Sequence, residues 1–275
     1  MMLTQTLAFI GGGNMARSLI GGLIAQGLPA TQITVSDPVE SQRVHLQRDY
    51  GVNVTANNEI ASAAEIIVLA VKPQELQQVA QQLQPHVTTH RPLIISVAAG
   101  IRASDLQQWL GLAVVRTMPN RPALNGCGVT GMYASPEVPT AQRQLAECIM
   151  NAVGTSVWVE QETLIDAVTA VSGSGPAYFF LLMELLEAAG IAQGLHPATA
   201  RTLAIETAYG AGMMAHQGQD APATLREQVT SKGGTTAAAL AVFEAQHLKD
   251  TVFAAVKAAA DRSAELAVLL SGKQG

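Results

Sequence analysis

The chain has 275 residues, of which 48% are hydrophobic and 13% are charged, and its formal net charge is −5. This composition is typical of a globular protein and lies far from that of disordered chains. The length allows one large domain or two ordinary ones. The net negative charge argues against a nucleic-acid partner or an anionic membrane surface, because both favour a basic face.

The sequence shows few signs of disulfide bonds, secretion or membrane insertion. Cys127 and Cys148 are the only cysteines, too few for a disulfide framework, and they suit a reducing compartment. The first residues lack the basic segment and cleavage site of a signal peptide. No uninterrupted apolar run approaches the ~18–20 residues that span a bilayer. We therefore expect a cytoplasmic protein with no membrane partner.

A glycine-rich motif lies near the N-terminus, between a predicted strand and a predicted helix. An apolar run over residues 7–10 leads into Gly11, Gly12 and Gly13, and helical spacing resumes at Ala16. Gly11, Gly13 and Ala16 fit the dinucleotide fingerprint G-x-G-x-x-G/A, in which small residues permit a tight turn, close approach to a pyrophosphate and close helix–strand packing. The helix that follows presents free N–H groups to phosphates. The alternative is a packing turn without a ligand.

The end of the second predicted strand bears on which dinucleotide is bound. Asp37 follows Gly11 at close to the ~20-residue offset of the acidic residue that binds the adenosine ribose, which favours NAD. Ser36 and Arg43 are close enough in sequence to bind a 2′-phosphate instead. A third interpretation is that Asp37 only opens a turn before Pro38. At this point the phosphate state of the cofactor stays open.

Strand and helix patterns alternate along the first 160 residues. The continuous apolar run 65–71 is typical of a strand buried on both faces. The alternation predicts an α/β fold with an N-terminal Rossmann-like, doubly wound sheet and right-handed crossovers. Further strands are predicted at 93–97, 113–118, 129–133 and 155–159.

Beyond Glu160 the strand signals vanish and apolar residues recur at helical spacing. We predict a dinucleotide-binding domain over 1–160 and an all-helical domain over 161–275. Helices as apolar as the one containing 179–183 must be buried somewhere. We therefore expect a homodimer formed through the helical domain.

Two segments of the helical region combine glycines with hydroxyl residues, 172–178 and 230–236. Each precedes a predicted helix and offers hydroxyl and backbone N–H groups, which suit a carboxylate. Plain N-capping explains either segment taken alone. Two such segments beside a dinucleotide-binding domain favour a small anionic substrate.

With these segments the chain resembles the pyrroline-5-carboxylate reductase family. The resemblance covers nearly the whole length, and the second glycine segment is its most specific part. It implies NAD(P)H-dependent reduction of 1-pyrroline-5-carboxylate to L-proline, the last step of proline biosynthesis. It also implies an interlocked helical dimer, which in many members assembles further into a decamer. The matching segments are 11–16, 70–73, 98–100, 118–120, 171–178 and 226–236.

The resemblance carries site residues over by position, with NADPH as the expected cofactor and NADH as the alternative. Two departures are Lys232, where the family often has proline, and Arg121, where it often has threonine. The implied substrate contacts are Ser231, Gly233, Gly234, Thr235 and Thr236, with Glu162 and Val229 at the pocket edge. Together with Asp37, the predicted cofactor contacts are Gly11, Gly12, Gly13, Asn14, Met15, Ala16, Ser36, Asn58, Ala70, Val71, Lys72, Pro73, Ala98, Ala99 and Gly100.

The residue types present agree with imine reduction. A protonated imine accepts hydride directly and develops little negative charge, so no strong general acid is required. The related beta-hydroxyacid dehydrogenases place a lysine where this chain has Phe179, which cannot donate a proton. Thr236 or a water is the remaining donor, so Thr236 is the predicted catalytic residue. The alternatives are an imine reductase or beta-hydroxyacid dehydrogenase of the same architecture, or a non-catalytic NAD(P)H-binding protein.

No metal site is predicted. His86 and His90 are four residues apart, but Pro85 and Pro92 argue against a helix there, and no acidic ligand is adjacent in sequence.

Overall fold

The computed structural model describes residues 3–271. Within it the chain divides into two compact units. The sheet unit comprises the chain up to Gly173 together with the segment from Ala259 onward, and the helical unit is Ser174–Ala258.

The sheet unit is built on eight strands in the order β3-β2-β1-β4-β5-β6-β7-β8. All neighbouring strands are parallel except β6 and β7, which pair antiparallel. The strand order reverses at β1, which is the position where open α/β sheets bind their ligands. The predicted Rossmann-like sheet is confirmed. The strands are β1 Leu7–Ile10, β2 Ile33–Ser36, β3 Asn53–Thr55, β4 Ile66–Leu69, β5 Leu93–Ser96, β6 Val114–Met118, β7 Gly128–Ala134 and β8 Gly154–Trp158.

Helices cover both faces of this sheet. Leu7 and Phe9 point into one apolar core, whereas Ala8 and Ile10 point into a second core on the opposite face. Strands buried on both faces explain the continuous apolar runs of the sequence. The helices are α1 Asn14–Ala25, α2 Glu40–Tyr50, α3 Asn58–Ala61, α4 Pro73–Val87, α5 Ala103–Leu110, α6 Thr140–Met150 and α7 Leu164–Val168.

The expectation that prolines prevent a helix around His86 was wrong. Helix α4 runs through Pro85 and ends at Val87. Proline removes one backbone hydrogen bond from a helix, but Leu83 and Val87 in the same turns are fully buried and hold the helix in place. His90 lies beyond it and contacts the carbonyl oxygen of Ser62 at 2.9 Å. Residues 3–271 contain no cluster of three His, Cys, Asp or Glu side chains suited to a metal.

Packing and composition divide the chain at different places. Ile165 in α7 is buried in the sheet unit, and Val168 packs directly against Gly131 of β7. The hydroxyl of Ser263 donates to Asp166 Oδ1 at 2.6 Å, which ties the C-terminal helix to α7. The sheet unit therefore extends past residue 160, where the strand signals end. The functional domains 1–160 and 161–275 stay a prediction.

The helical unit buries few of its apolar side chains. Its helices are α8 Gly175–Ala192, α9 Pro197–Gln217, α10 Pro222–Gln228, α11 Thr235–Ala245 and the first part of α12, Leu248–Leu270. Helices α8 and α9 pack closely where Gly190 faces Ala200. In contrast, Phe179, Phe180 and Phe253 are 65%, 60% and 65% exposed. Exposed apolar surface of this extent marks an interaction surface.

One helical stretch of the described chain, Leu164–Ala192, is long and apolar enough to cross a membrane by length and composition alone. The sequence expectation concerned uninterrupted apolar runs, and polar and glycine residues at 172–175 interrupt this stretch. The expected absence of a membrane partner stays a prediction. This stretch includes α8. A second subunit packed against α8 would also cover its exposed apolar side chains.

Candidate active site

The loops that follow β1, β2 and β4 lie together at the carboxyl edge of the sheet. The Gly11 N–H donates to the Ser36 carbonyl at 2.8 Å, and the Ala70 N–H donates to the Ile10 carbonyl at 2.8 Å. The sheet therefore extends into the loops that were predicted to bind a cofactor. This edge is where parallel sheets place ligand-binding groups.

The first glycine turn requires glycine at one position and leaves space at another. Gly11 has φ +99°, and a Cβ there would lie 2.7 Å from the Ala70 carbonyl oxygen. Gly13, the N-cap residue of α1, has no atom within 4 Å of the position of its missing Cβ. No side chain caps α1. An uncapped helix start with a small, open residue before it fits a pyrophosphate.

Asp37 turns its carboxylate toward the protein. Its Oδ2 accepts the Gly12 N–H at 2.8 Å, and its Oδ1 accepts the Val39 N–H at 2.8 Å. The residue is 9% exposed. This is the geometry of a turn-opening aspartate that also fixes the glycine loop. A contact between Asp37 and a ribose stays a prediction.

Three other polar side chains surround the end of β2. The Ser36 hydroxyl donates to Asn58 Oδ1 at 2.7 Å. Arg43 Nη1 donates to the carbonyl oxygens of Asp37 and Pro38 at 2.7 and 3.0 Å. The guanidinium is therefore held at the turn that follows β2. This arrangement places one cation and two neutral polar groups around the end of β2.

The other two predicted cofactor loops follow β4 and β5. Lys72 is the N-cap residue of α4 and Pro73 is its first residue. In the loop after β5, Ala98 and Gly100 are buried, whereas Ala99 is exposed. Both loops thus lie at the carboxyl edge, on the side of β1 opposite to β2.

The second glycine turn lies in the helical unit, before α11. The Gly234 N–H donates to the Ser231 carbonyl at 3.0 Å, and Gly233 has φ +73°. Helix α11 begins at Thr235, and no side chain caps it. Plain N-capping, the alternative interpretation of this segment, requires a hydrogen bond from a side chain to the start of the helix. Helix α11 has no such hydrogen bond. The turn presents Ser231, Thr235 and Thr236 at one helix start, of which Thr236 is half-buried.

Of the two residues expected at the pocket edge, Val229 is 59% exposed near this turn. Glu162 belongs to the sheet unit, where its Oε1 accepts from Arg116 Nη1 at 2.9 Å and from the Ala103 N–H at 2.5 Å. The two departures from the family pattern, Arg121 and Lys232, are both exposed.

The sequence analysis assigned no role to two polar residues, one in β6 and one in the loop after it. Arg116 is 3% exposed. A cation within an otherwise apolar strand is the sequence feature that could have indicated a buried ion pair. Asn120 donates through Nδ2 to the Ser172 carbonyl at 3.1 Å and accepts the Val129 N–H at 2.9 Å. Asn120 thereby joins the end of β6 to β7 and to the first hydroxyl-rich segment.

Two family models match this chain. Residues 162–266 match the model described as pyrroline-5-carboxylate reductase dimerisation. Residues 6–100 match the model described as NADP oxidoreductase, coenzyme F420-dependent. With the glycine turn and the sheet order, these matches define a nicotinamide-dependent oxidoreductase whose helical region matches a dimerisation module.

Whole-chain relatives identify the family. A pyrroline-5-carboxylate reductase of Pseudomonas aeruginosa is 49% identical over 269 residues, covering 97% of this chain and 98% of that protein. The chain belongs to the pyrroline-5-carboxylate reductase family.

Solved structures of the family share the fold. A pyrroline-5-carboxylate reductase from Coxiella burnetii has a TM-score of 0.93 at 39% identity and covers 96% of this chain and 99% of its own. A Plasmodium falciparum pyrroline carboxylate reductase, solved with NADP bound, has a TM-score of 0.83 at 28% identity. It covers 97% of this chain and 100% of its own.

Proposed function

We propose that this chain reduces 1-pyrroline-5-carboxylate to L-proline with NADPH. The observation that carries the proposal is the near full-length identity of 49% to a reductase of this name. The two glycine turns described above supply the binding groups that such a reaction needs. When bound, the reduced nicotinamide supplies a hydride for the imine carbon.

The sheet unit holds the cofactor in this proposal. The uncapped start of α1, with residues 11–16, binds the pyrophosphate through backbone N–H groups. The buried Asp37 carboxylate keeps the Gly12 N–H in place at 2.8 Å, so the turn is rigid before the cofactor arrives. The loops 70–73 and 98–100 hold the remaining half of the dinucleotide.

The groups around the end of β2 support a preference for NADPH over NADH. Two N–H donors of Arg43 are used by the Asp37 and Pro38 carbonyls. A guanidinium has five such donors, so three remain for a phosphate. A guanidinium and a phosphate form strong charge-assisted hydrogen bonds. The Asp37 carboxylate accepts the Gly12 and Val39 N–H groups, which offsets part of its repulsion of a 2′-phosphate. Ser36 and Asn58 complete this subsite.

The helical unit binds the substrate carboxylate. Ser231, Thr235 and Thr236 supply hydroxyls, and the start of α11 supplies N–H groups and a positive dipole end. Gly233 and Gly234 allow the turn to approach the carboxylate closely, and Val229 borders it. The exposed Lys232 adds positive charge beside the same turn.

Thr236 is the proposed catalytic residue. Its hydroxyl oxygen accepts a hydrogen bond from the N–H of the protonated imine, which orients the ring for hydride transfer. Hydride addition at the imine carbon converts that nitrogen directly into the neutral amine, so the step needs no further proton. Reduction of an iminium needs no strong acid, because the nitrogen loses its positive charge as hydride arrives. A threonine hydroxyl is therefore sufficient.

The working assembly is a homodimer formed through the helical unit, and decamers built from such dimers follow the family. The support is the match of residues 162–266 to a dimerisation module and the exposure of Phe179 and Phe180. A groove of about 720 Å³ adds further apolar surface for a second subunit through Leu240, Phe243, Leu248, Val252 and Phe253, and its other lining residues are polar or charged. We propose a cytoplasmic location, in keeping with the cysteine content and the reducing cofactor.

The test is the oxidation of NADPH and NADH by the purified chain with 1-pyrroline-5-carboxylate, with the product analysed as an amino acid. We expect L-proline to form in proportion to NADPH consumed, and NADH to be used less efficiently. Turnover of a hydroxy acid instead would indicate a dehydrogenase of the same architecture. NADPH binding without turnover of any cyclic imine would indicate a non-catalytic protein.

A further inference from the structure

The carboxylate of Glu162 joins parts of the sheet unit that are distant in sequence. Its Oε1 accepts the Ala103 N–H at 2.5 Å and Arg116 Nη1 at 2.9 Å. The Arg116 side chain is 4% exposed and that of Glu162 is 20% exposed. A buried guanidinium requires an anionic partner. Glu162 is therefore fixed in place by the charge that it neutralises.

The contact with Ala103 connects this ion pair to a predicted cofactor loop. Ala103 is the first residue of α5, and the N-cap residue Arg102 makes no capping hydrogen bond with its side chain. A carboxylate at a helix start pairs with the open N–H groups and the helix dipole. Glu162 thus replaces a local capping side chain and fixes the point where the loop enters α5.

The loop between β5 and α5 is short and closely packed. Two residues separate Gly100 from Ala103, and one of them, Ile101, is fully buried. At the other end the Ala98 N–H donates to Ser96 Oγ at 3.3 Å. A displacement of Ala103 is therefore transmitted to Gly100 and is not absorbed by flexible chain.

The sheet order decides which part of the cofactor this loop meets. The proposed adenosine subsite lies at the end of β2, on one side of β1, and β4 and β5 lie on the other side. A dinucleotide that crosses the switch point at β1 therefore places its nicotinamide half toward the loop 98–100.

We infer that Glu162 is a positioning residue for the loop 98–100 and hence for the nicotinamide half of the cofactor. The expected contact of Glu162 with the substrate at the pocket edge stays a prediction. The inference rests on the proposed function for the identity of the cofactor. Hydride transfer depends steeply on distance, and a misplacement of about 1 Å costs about 100-fold in rate.

The test compares binding of whole NADPH with binding of its adenosine half alone. The two probes are NADPH and 2′,5′-ADP, titrated without substrate against the wild type, Glu162→Gln and Glu162→Asp. Glu162→Asp keeps the charge that Arg116 requires but shortens the reach to Ala103, so it tests the loop contact in a folded protein. Glu160→Gln removes a nearby exposed carboxylate and is the matched control.

We expect both Glu162 variants to bind NADPH about fivefold or more weakly, which is a readily measured difference in Kd. Their affinity for 2′,5′-ADP stays unchanged, kcat falls, and the KM for 1-pyrroline-5-carboxylate changes less than about twofold. Melting temperatures identify any variant that has lost its fold.

Three results would overturn the inference. Equal weakening of NADPH and 2′,5′-ADP shows a purely structural role, unchanged NADPH binding shows no role in the loop, and a rise in substrate KM alone shows a substrate contact. A wild-type chain that binds no NADPH would instead refute the proposed function itself. Wild-type binding together with normal binding by the variants refutes only the role of Glu162.

Discussion

The two glycine turns both precede uncapped helices, yet their surroundings differ. At Gly11 a Cβ would lie 2.7 Å from backbone, whereas at Gly233 no atom lies within 4 Å of that position. The Gly12 N–H is held by the buried Asp37 carboxylate, while Ser231 in the second turn is exposed. The first turn is thus completed by packing within the sheet unit. The second is held mainly by its own backbone, so its side chains are available to a ligand.

The largest expected effect comes from Gly11→Ala, because the added Cβ meets backbone and φ is +99°. We expect NADPH affinity to fall about 100-fold or more, since the cradle for the pyrophosphate is displaced. Isothermal titration with NADPH measures this change. Gly13→Ala places its Cβ in open space, so its melting temperature should match the wild type. A Gly11→Ala protein that binds NADPH normally would remove the packing argument for the first turn.

At the second turn the decisive change is Thr236→Ala. We expect kcat to fall by about 10- to 100-fold, because the hydrogen bond that orients the ring nitrogen is lost, while the Kd for NADPH stays constant. Steady-state kinetics with 1-pyrroline-5-carboxylate provide the measurement, and Thr236→Ser should recover most of the rate. Thr224→Ala, at an exposed threonine of α10, serves as the control. Wild-type turnover by Thr236→Ala would exclude Thr236 from the mechanism.

A third prediction concerns the apolar surfaces of the two units. The sheet unit buries its apolar side chains in two cores, whereas the helical unit leaves many of them exposed. Phe180→Asp should convert the dimer into monomers, because each subunit then brings an unpaired charge into the interface. Light scattering during size-exclusion chromatography measures the mass. Val44→Asp changes a 54% exposed apolar residue of α2 and should leave the mass unchanged. A dimeric Phe180→Asp protein would place the interface elsewhere.

The proposed 2′-phosphate subsite predicts a smaller, cofactor-specific effect. Arg43→Gln should raise the KM for NADPH by about 10-fold, since one charge-assisted contact is lost, and should leave the KM for NADH unchanged. Arg48→Gln on the same helix removes a guanidinium that pairs with Asp49 at 2.8 Å on the exposed surface. It should alter neither constant. Equal effects of Arg43→Gln on both cofactors would argue against a phosphate contact.

The smallest expected effect is that of Ser231→Ala, which removes one of several donors to the carboxylate. A neutral hydrogen bond contributes about 1 kcal/mol, so the KM for the substrate should rise about fivefold at unchanged NADPH affinity. An unchanged substrate KM would limit the carboxylate contacts to the start of α11.

The sequence predicted the sheet well, because buried strands and glycine turns leave local signals at residues 7–13 and 65–73. It did not predict the direction of the Asp37 carboxylate, since a ribose contact and a turn use the same residue type at the same position. The helix through Pro85 formed because burial of Leu83 and Val87 outweighs one lost hydrogen bond. The pairing of Glu162 with Arg116 joins residues 46 positions apart, and no local pattern encodes such a contact.

The central claim is that the glycine turn of the sheet unit holds the dinucleotide and the Ser231–Thr236 turn holds the acid. A crystal structure of the chain with NADPH and L-proline tests it most directly. We expect the pyrophosphate over Gly11–Gly13 and the proline carboxylate within hydrogen-bonding distance of Ser231, Thr235 or Thr236. A proline bound away from this turn, or a pyrophosphate away from the start of α1, would contradict the account.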